Sequence, residues 1–358
     1  LPVPGPVQQT GCLLLDVDKD GIDDIVIACR QQPPALAWIR HTRQGWARYV
    51  IEDALLPIEA GGAFYDIDGD GDLDIVFGED ASGSGLYWWE NPYPDFDPAV
   101  PWKRHAIKDG GPRKHHDQIF GDFDGDGKVE LVFWNQGRPA LCLAQIPPQP
   151  RSAGPWEYVE IHAGPGEGLA QGDINGDGRV ELLAAGYWFE HRGGTQFAAH
   201  PIDPTQTIPR VAVADLNGDR RLEVVMGPSD IVGRLRWYEC LGDPRDPSAW
   251  QAHDLLDTDV FHTHSLAIAD FDGDGNLDIF AAEMRELQPG ADQNTDAKMW
   301  LFLGDGRGHF RTVEMATGFG VHEAKVGDLD GDGRPDICAK PYCWDTPRLD
   351  IWLNDTSR

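Results

Sequence analysis

SLAIADFDGDGNLDIFAAE, residues 265–283, holds the repeated pattern from which the architecture follows. SLAIA alternates apolar and small residues, DFDGDGNLD is an acidic turn, and IFAAE is a second short apolar run. Alternation with a period of two marks a half-buried strand, so the whole reads as a hairpin with a long turn. The turn recurs as DVDKDGIDD at 16, DIDGDGDLD at 66, DFDGDGKVE at 122, DINGDGRVE at 173, DLNGDRRLE at 215 and DLDGDGRPD at 328. Successive starts lie 50, 56, 51, 42, 55 and 58 residues apart. Periods of this size point to a solenoid or a propeller.

Beyond each hairpin a third segment carries aromatics: LAWIR at 36, LYWWEN at 86, LRWYEC at 235, MWLFLG at 299 and LDIWLN at 349. A fourth often opens on Trp or Phe, as in WARYVIED at 46, WKRHAIKD at 102, WEYVEIHA at 156 and WQAHDLLD at 250. Four strands in each of seven units make an all-β, seven-bladed propeller with four-stranded antiparallel blades, one domain over residues 1–358. The seventh unit has only AKVGDL, PDICA and LDIWLN. Its fourth strand is expected from VPGPVQQ near the N-terminus, where prolines restrict it to an edge, or from residues ahead of Leu1.

Sixty Asp and Glu against 30 Lys and Arg give a formal charge of −30, which excludes a nucleic-acid backbone or an anionic membrane as the main partner. No apolar run approaches the ~20 residues that span a bilayer. LPVPGPVQQ has neither a basic n-region nor an apolar h-region, so a secreted or periplasmic chain whose signal has been removed is expected. Six cysteines follow no zinc spacing; Cys12 and Cys29, on neighbouring strands, are a candidate pair, with buried free thiols the alternative.

Calcium takes six to eight hard oxygen ligands, and carboxylates at alternate positions of a glycine-bearing turn fold inward around one ion. Positions 1, 3, 5 and 9 supply them in every copy. They are Asp16, Asp18, Asp20 and Asp24; Asp66, Asp68, Asp70 and Asp74; Asp122, Asp124, Asp126 and Glu130; and Asp173, Asn175, Asp177 and Glu181. The later copies offer Asp215, Asn217, Asp219 and Glu223; Asp270, Asp272, Asp274 and Asp278; and Asp328, Asp330, Asp332 and Asp336. Of these 28 positions 26 are acidic, so several structural Ca²⁺ ions are expected. An EF-hand would need a Glu at position 12, where Phe77 and Ala281 stand inside strands. Copy five has Arg220 where the others have Gly, which makes its ion the least secure.

These loops and the strands around them resemble the FG-GAP/VCBS repeats of integrin-type propellers, over nearly the whole chain. The ending HEAKVGDLDGDGRPDICAKPYCWDTPRLDIWLN and the H-x-H-S-L entry to copy six resemble the propellers of microbial sugar-active proteins. Among these are aldos-2-ulose dehydratase and rhamnosyl-glucuronate lyases, a resemblance that implies chemistry at the mouth of the central funnel.

Residues entering each first strand must lie on the rim opposite the acidic turns. Six residues before each motif stand Thr10, Ala60, His116, Glu167, Pro209, His264 and His322. Three His in seven is far above what 12 His in 358 residues would place there. Neighbouring positions add Glu59, His115, Asp117, Arg210, His262, Glu323 and Lys325, and loops after the second strands add Asp230, Glu283 and Lys340 with Tyr342 and Trp344. Imidazoles in such a cluster act as acid and base or hold one divalent transition metal with Glu167. Facing each other across the axis, His116 and the pair His264 and His322 are expected to meet through a metal, a water or a substrate. Trp188 and Trp344 are candidates for packing or for stacking on a sugar.

There is no G-x-S-x-G elbow, Walker A loop or dinucleotide fingerprint. The expected function is a lyase or dehydratase acting by β-elimination on a uronate or keto-sugar. His116, His264, His322 and His115 are the candidate acid and base groups, with Arg210 and Lys340 toward the substrate carboxylate or carbonyl. Glu59, Glu167, His262, Glu323, Lys325, Tyr342 and Trp344 would contact the saccharide. A non-catalytic glycan- or protein-binding propeller is the alternative, and a glycoside hydrolase using two of Glu59, Glu167 and Glu283 is third.

Overall fold

A computed structural model describes residues 9–288, 291–343 and 348–355, with backbone alone at 286–288, 291, 292, 342 and 343. Six four-stranded antiparallel sheets and one of three strands follow in chain order, one per acidic motif. Blade 3 is representative: His115–Gly121, Glu130–Asn135, Ala140–Gln145 and Tyr158–Ala163 pair as consecutive neighbours. Among the described residues the only helical element is one 3₁₀ turn, Pro247–Ala249.

Second strands such as Asp24–Cys29 and Glu130–Asn135 are buried along their whole length, whereas fourth strands such as Tyr158–Ala163 are largely wetted. Burial on both faces suits the near-continuous apolar runs of the second strands, which pack against both adjacent blades. Seven apolar clusters result, one at each seam; that between blades 1 and 2, for example, joins Val26 and Trp38 to Ile75, Phe77 and Trp89. The third-strand tryptophans Trp38, Trp88, Trp89 and Trp188 are fully buried in these seams. In blades 2, 4 and 5 they stack on a cross-strand histidine, as in Trp88 on His105, Trp188 on His200 and Trp237 on His253.

Blade 7 has Glu323–Gly327, Asp336–Lys340 and Asp350–Trp352 and no fourth strand among the described residues. The strand expected from VPGPVQQ lies outside them up to residue 8. Of the two cysteine expectations, the Cys12–Cys29 pair is corrected and buried free thiols are found: Cys12 stands opposite Ile27, not Cys29, and its Sγ lies 3.9 Å from Cys338 Sγ across the seam between blades 1 and 7. A bulge between Gln9 and Cys12 sets this register. At the mouth, short sheets add to the rim: Val232–Gly233 with Val260–Phe261, and Glu286–Gln288 with Ala291–Gln293 and Tyr342–Cys343. No described helix is long and apolar enough to cross a membrane.

Candidate functional site

The three histidines of the common register converge. The His264 and His322 rings stack with centroids 4.8 Å apart, and both line a mouth cavity of about 210 Å³ with His116, Glu59, Glu167 and His262. Arg30, Asp80, Lys114, Asp230 and Met284 complete its wall.

The expectation that His116 meets its opposite numbers only through a metal, water or substrate is corrected, because protein side chains bridge the funnel by two routes. In one, His116 Nε2 lies 3.6 Å from Glu167, which accepts a 2.7 Å hydrogen bond from Ser229 Oγ, and Ser229 Oγ is 3.2 Å from His264 Nε2. In the other, His116 Nδ1 is 2.7 Å from Asp117, whose carboxylate takes Arg210 at 2.8 Å, and Arg210 reaches His264 Nδ1 at 3.5 Å. Asp117 joins this ring because the first strand bulges. His116 pairs with Trp134 and Gln118 with Phe133, so Asp117, at φ 40°, is the extra residue.

These environments drive the ionisable groups apart. Burial alone would lower His116, but Glu167 and Asp117 hold it up to about 9. Burial and the Lys340 ammonium hold His322 well below the usual imidazole range. Burial brings Lys340 down to about 8 against the pull of Glu323, and burial with the Asp80 hydrogen bond raises Glu59 to about 7 against Arg30. A conjugate acid and a neutral imidazole thus face one cavity at neutral pH.

Several expected substrate-facing groups are otherwise engaged. Lys340 is fully buried, bonded to Gln9 O and His322 Nδ1, and Arg210 is clamped on Asp117. His115 is buried beside Phe133, away from the cavity, and burial with Lys108 lowers it to about 3. Glu323 accepts Cys12 N–H and pairs with Lys325 at 3.0 Å, deeper in the channel. Trp188 packs under Pro244 and His200 and offers no stacking face. Trp344 lies outside the described residues, as does the Tyr342 side chain. Lys114, Asp80 and Ser229 sit on connections of unequal length and share no register with the first strands, whereas Asp230 lies after a second strand as expected.

Glu167, Asp230 and His264 bring one donor atom each to within 4.8 Å of one another, a nitrogen and oxygen set that fits a divalent transition ion. On the opposite rim, Asp122, Asp124, Asp126 and Glu130 do the same with carboxylates alone. Asp122 Oδ1 and Glu130 Oε1 there are buried with no hydrogen-bond partner, the pattern a hard cation satisfies. A larger cleft of about 400 Å³ between the acidic loops of blades 6 and 7 lacks the acid–base groups of the mouth.

The ninth-position carboxylate also has a structural task. Asp74, Glu130, Glu181, Glu223, Asp278 and Asp336 each accept the N–H of the second loop residue at 2.7–3.0 Å. The first-position carboxylate accepts the sixth N–H in all seven loops. Part of the acidic pattern therefore folds the turn.

A solved structure described as BBS1N in complex with ARL6DN, soaked with lead, superposes with a TM-score of 0.57, covering 100% of this chain and 96% of that chain at 14% identity. That likeness concerns the fold. No curated protein is detectably similar in sequence. The family model described as FG-GAP-like repeat matches residues 16–77, 66–133, 122–184, 173–226, 215–281 and 270–339, overlapping windows that each join one acidic motif to the next. With seven motifs, seven blades and a match running from the first loop to the last blade, the chain belongs to the FG-GAP-like repeat family.

Proposed function

We propose that the protein is a carbon–oxygen lyase that carries out β-elimination on a uronate- or keto-sugar-containing saccharide held at the mouth. The observation that supports this is the convergence of His116, His264 and His322 on one polar cavity, with His116 raised to about 9 and His322 depressed. Elimination needs a base for the proton α to the carbonyl, an acid for the leaving oxygen, and positive charge beside the enolate-like intermediate. His116 serves as the acid, and the stacked His264 and His322 supply the base. Lys114, which lines the cavity, attracts the substrate carboxylate, whereas Arg30 is held by Glu59 at 2.6 Å and Asp80 at 2.9 Å. Where a divalent ion is held by Glu167, Asp230 and His264, it would supply further charge at the carbonyl oxygen and His322 alone would be the base. The acidic loops hold structural calcium, and such a protein works outside the cytoplasm, where free calcium and polysaccharide are plentiful.

The hydrolase alternative is weakened at Glu283, whose two oxygens accept the N–H groups of Phe261 and Lys298 at 2.7 and 2.9 Å. A panel of uronate-containing polysaccharides and oligosaccharides tests the reading. An unsaturated, ultraviolet-absorbing product supports the lyase; new reducing ends without that absorbance mean a hydrolase; binding without turnover means a recognition module.

A further inference from the structure

Among the described residues, the seam between the first and last blades is the place in the ring where the backbone does not carry the chain from one blade to the next. Side chains and one backbone bond hold it: Cys12 N–H donates to Glu323 at 3.1 Å, Asp328 N–H to the Asp23 carboxylate at 3.0 Å, Lys340 to Gln9 O at 2.9 Å, and Asp23 N–H to Asp328 O at 2.9 Å. In the middle of this seam Cys12 and Cys338 bring their sulfurs to 3.9 Å, both side chains wholly shielded from solvent, although 326 residues separate them.

We propose that Cys12 and Cys338 are a ring-closing pair that oxidises to a disulfide joining blade 1 to blade 7. Sulfurs 3.9 Å apart are in van der Waals contact and must approach to the ~2.05 Å of a disulfide bond, and the two lie in one apolar cluster with Leu14, Leu329 and Leu349. The bond has most effect at this seam. A crosslink restricts the unfolded chain more as the enclosed loop lengthens, and this loop spans nearly the whole propeller. It also does the work that a fourth strand shared between first and last blades would do, and blade 7 has three strands among the described residues.

The oxidant is a low-molecular-weight disulfide. One cysteine thiolate attacks it, giving a mixed disulfide and releasing one thiol. The second cysteine thiolate then displaces the other thiol and forms the Cys12–Cys338 bond. Two electrons pass to the oxidant, two protons leave the cysteines, and the oxidant ends as two thiols. Because both sulfurs are buried, exchange occurs while the seam assembles or transiently opens.

The test refolds the full chain in oxidised and reduced glutathione, blocks remaining thiols with an alkylating agent, and measures intact and peptide masses. The expected result is a Cys12–Cys338 peptide, a loss of two hydrogens, and faster non-reducing migration that persists in Cys29→Ser. Reduction should then lower the melting temperature of the wild type by about 5 °C or more and leave that of Cys338→Ala unchanged. Folded protein with both residues alkylated under every oxidising condition, or Cys12 joined to another cysteine, overturns the proposal. The wild-type mass decides the matter even if Cys338→Ala does not fold.

Discussion

Arg220 occupies the sixth position of its loop at φ 72°, a left-handed conformation that glycine takes at the same place in the six other copies. Its N–H still bonds Asp215 at 3.0 Å, so the turn is made correctly at a steric cost of roughly 1 kcal/mol. Arg220→Gly should therefore raise stability by up to about 1 kcal/mol, offset in part by glycine's freedom in the unfolded chain, and denaturant titration of both proteins measures it. The ninth-position carboxylates make a second residue-scale expectation. Burial raises Asp74 to about 8 and Glu130, Glu181 and Glu223 to about 7. Their folded values stand above the ordinary unfolded range near 4, so the folded state binds more protons between those limits. Stability in excess chelator is therefore fully present below about pH 4 and falls as pH rises toward 8. Saturating calcium should flatten that decline, because the ion stabilises the ionised form. Melting curves at four pH values, with and without calcium, test it, and parallel trends would count against calcium in these loops.

At the scale of the loop, the seven copies differ in what already neutralises them. Arg40 pairs with Asp18 in blade 1, and Arg151, arriving from blade 3, contacts Asp68 at 2.8 Å and Asp70 at 2.5 Å in blade 2. In blades 4 and 5 the side chains of Asn175 and Asn217 donate to Glu181 and Glu223. In blades 3 and 7 the fifth-position carboxylate carries a cation, Lys128 on Asp126 at 3.1 Å and Arg334 on Asp332, whereas the four carboxylates of blade 6 have no ion pair among the described residues. Calcium titration should accordingly be graded, with the blade 6 ion held most tightly under the ligand-charge rule, and Arg151→Ala should tighten one weaker site by up to about tenfold, the scale of a partly exposed ion-pair network. Equal sites would contradict this. The sequence disclosed the loops because their spacing within the turn is rigid, and it disclosed His116, His264, His322 and Glu167 because first strands share one register. It did not disclose Asp117's inward turn, which needs a bulge that no residue pattern announces. Nor did it disclose Lys114, Asp80 and Ser229, whose connections differ in length and share no register. Arg40 and Arg151 escaped as well, because their partners lie across strands or blades.

Across the whole molecule, each first strand links the two rims: His116 at the mouth and Asp122 in the acidic loop stand at either end of one strand, six residues or about 20 Å apart. Sites at that distance without shared partners are usually energetically independent. Calcium binding and turnover should therefore separate. A calcium-selective chelator should lower the melting temperature while leaving turnover intact at temperatures where the protein stays folded, whereas His116→Ala, His264→Ala and His322→Ala should abolish turnover and leave calcium content unchanged, with a lower melting temperature because each removes a partner from a buried polar network. A transition-metal chelator discriminates further. If Glu167, Asp230 and His264 hold an ion that the reaction needs, activity falls and returns on adding zinc, manganese or cobalt to the stripped wild type. If the histidines act alone, activity survives that chelator and the rate follows a bell in pH. Its alkaline limb should lie near 9, where His116 loses its proton, and its acid limb below the ordinary imidazole range, where His322 gains one. Full activity in all three alanine variants would remove the enzyme reading of this rim and leave a propeller that binds its ligand without transforming it.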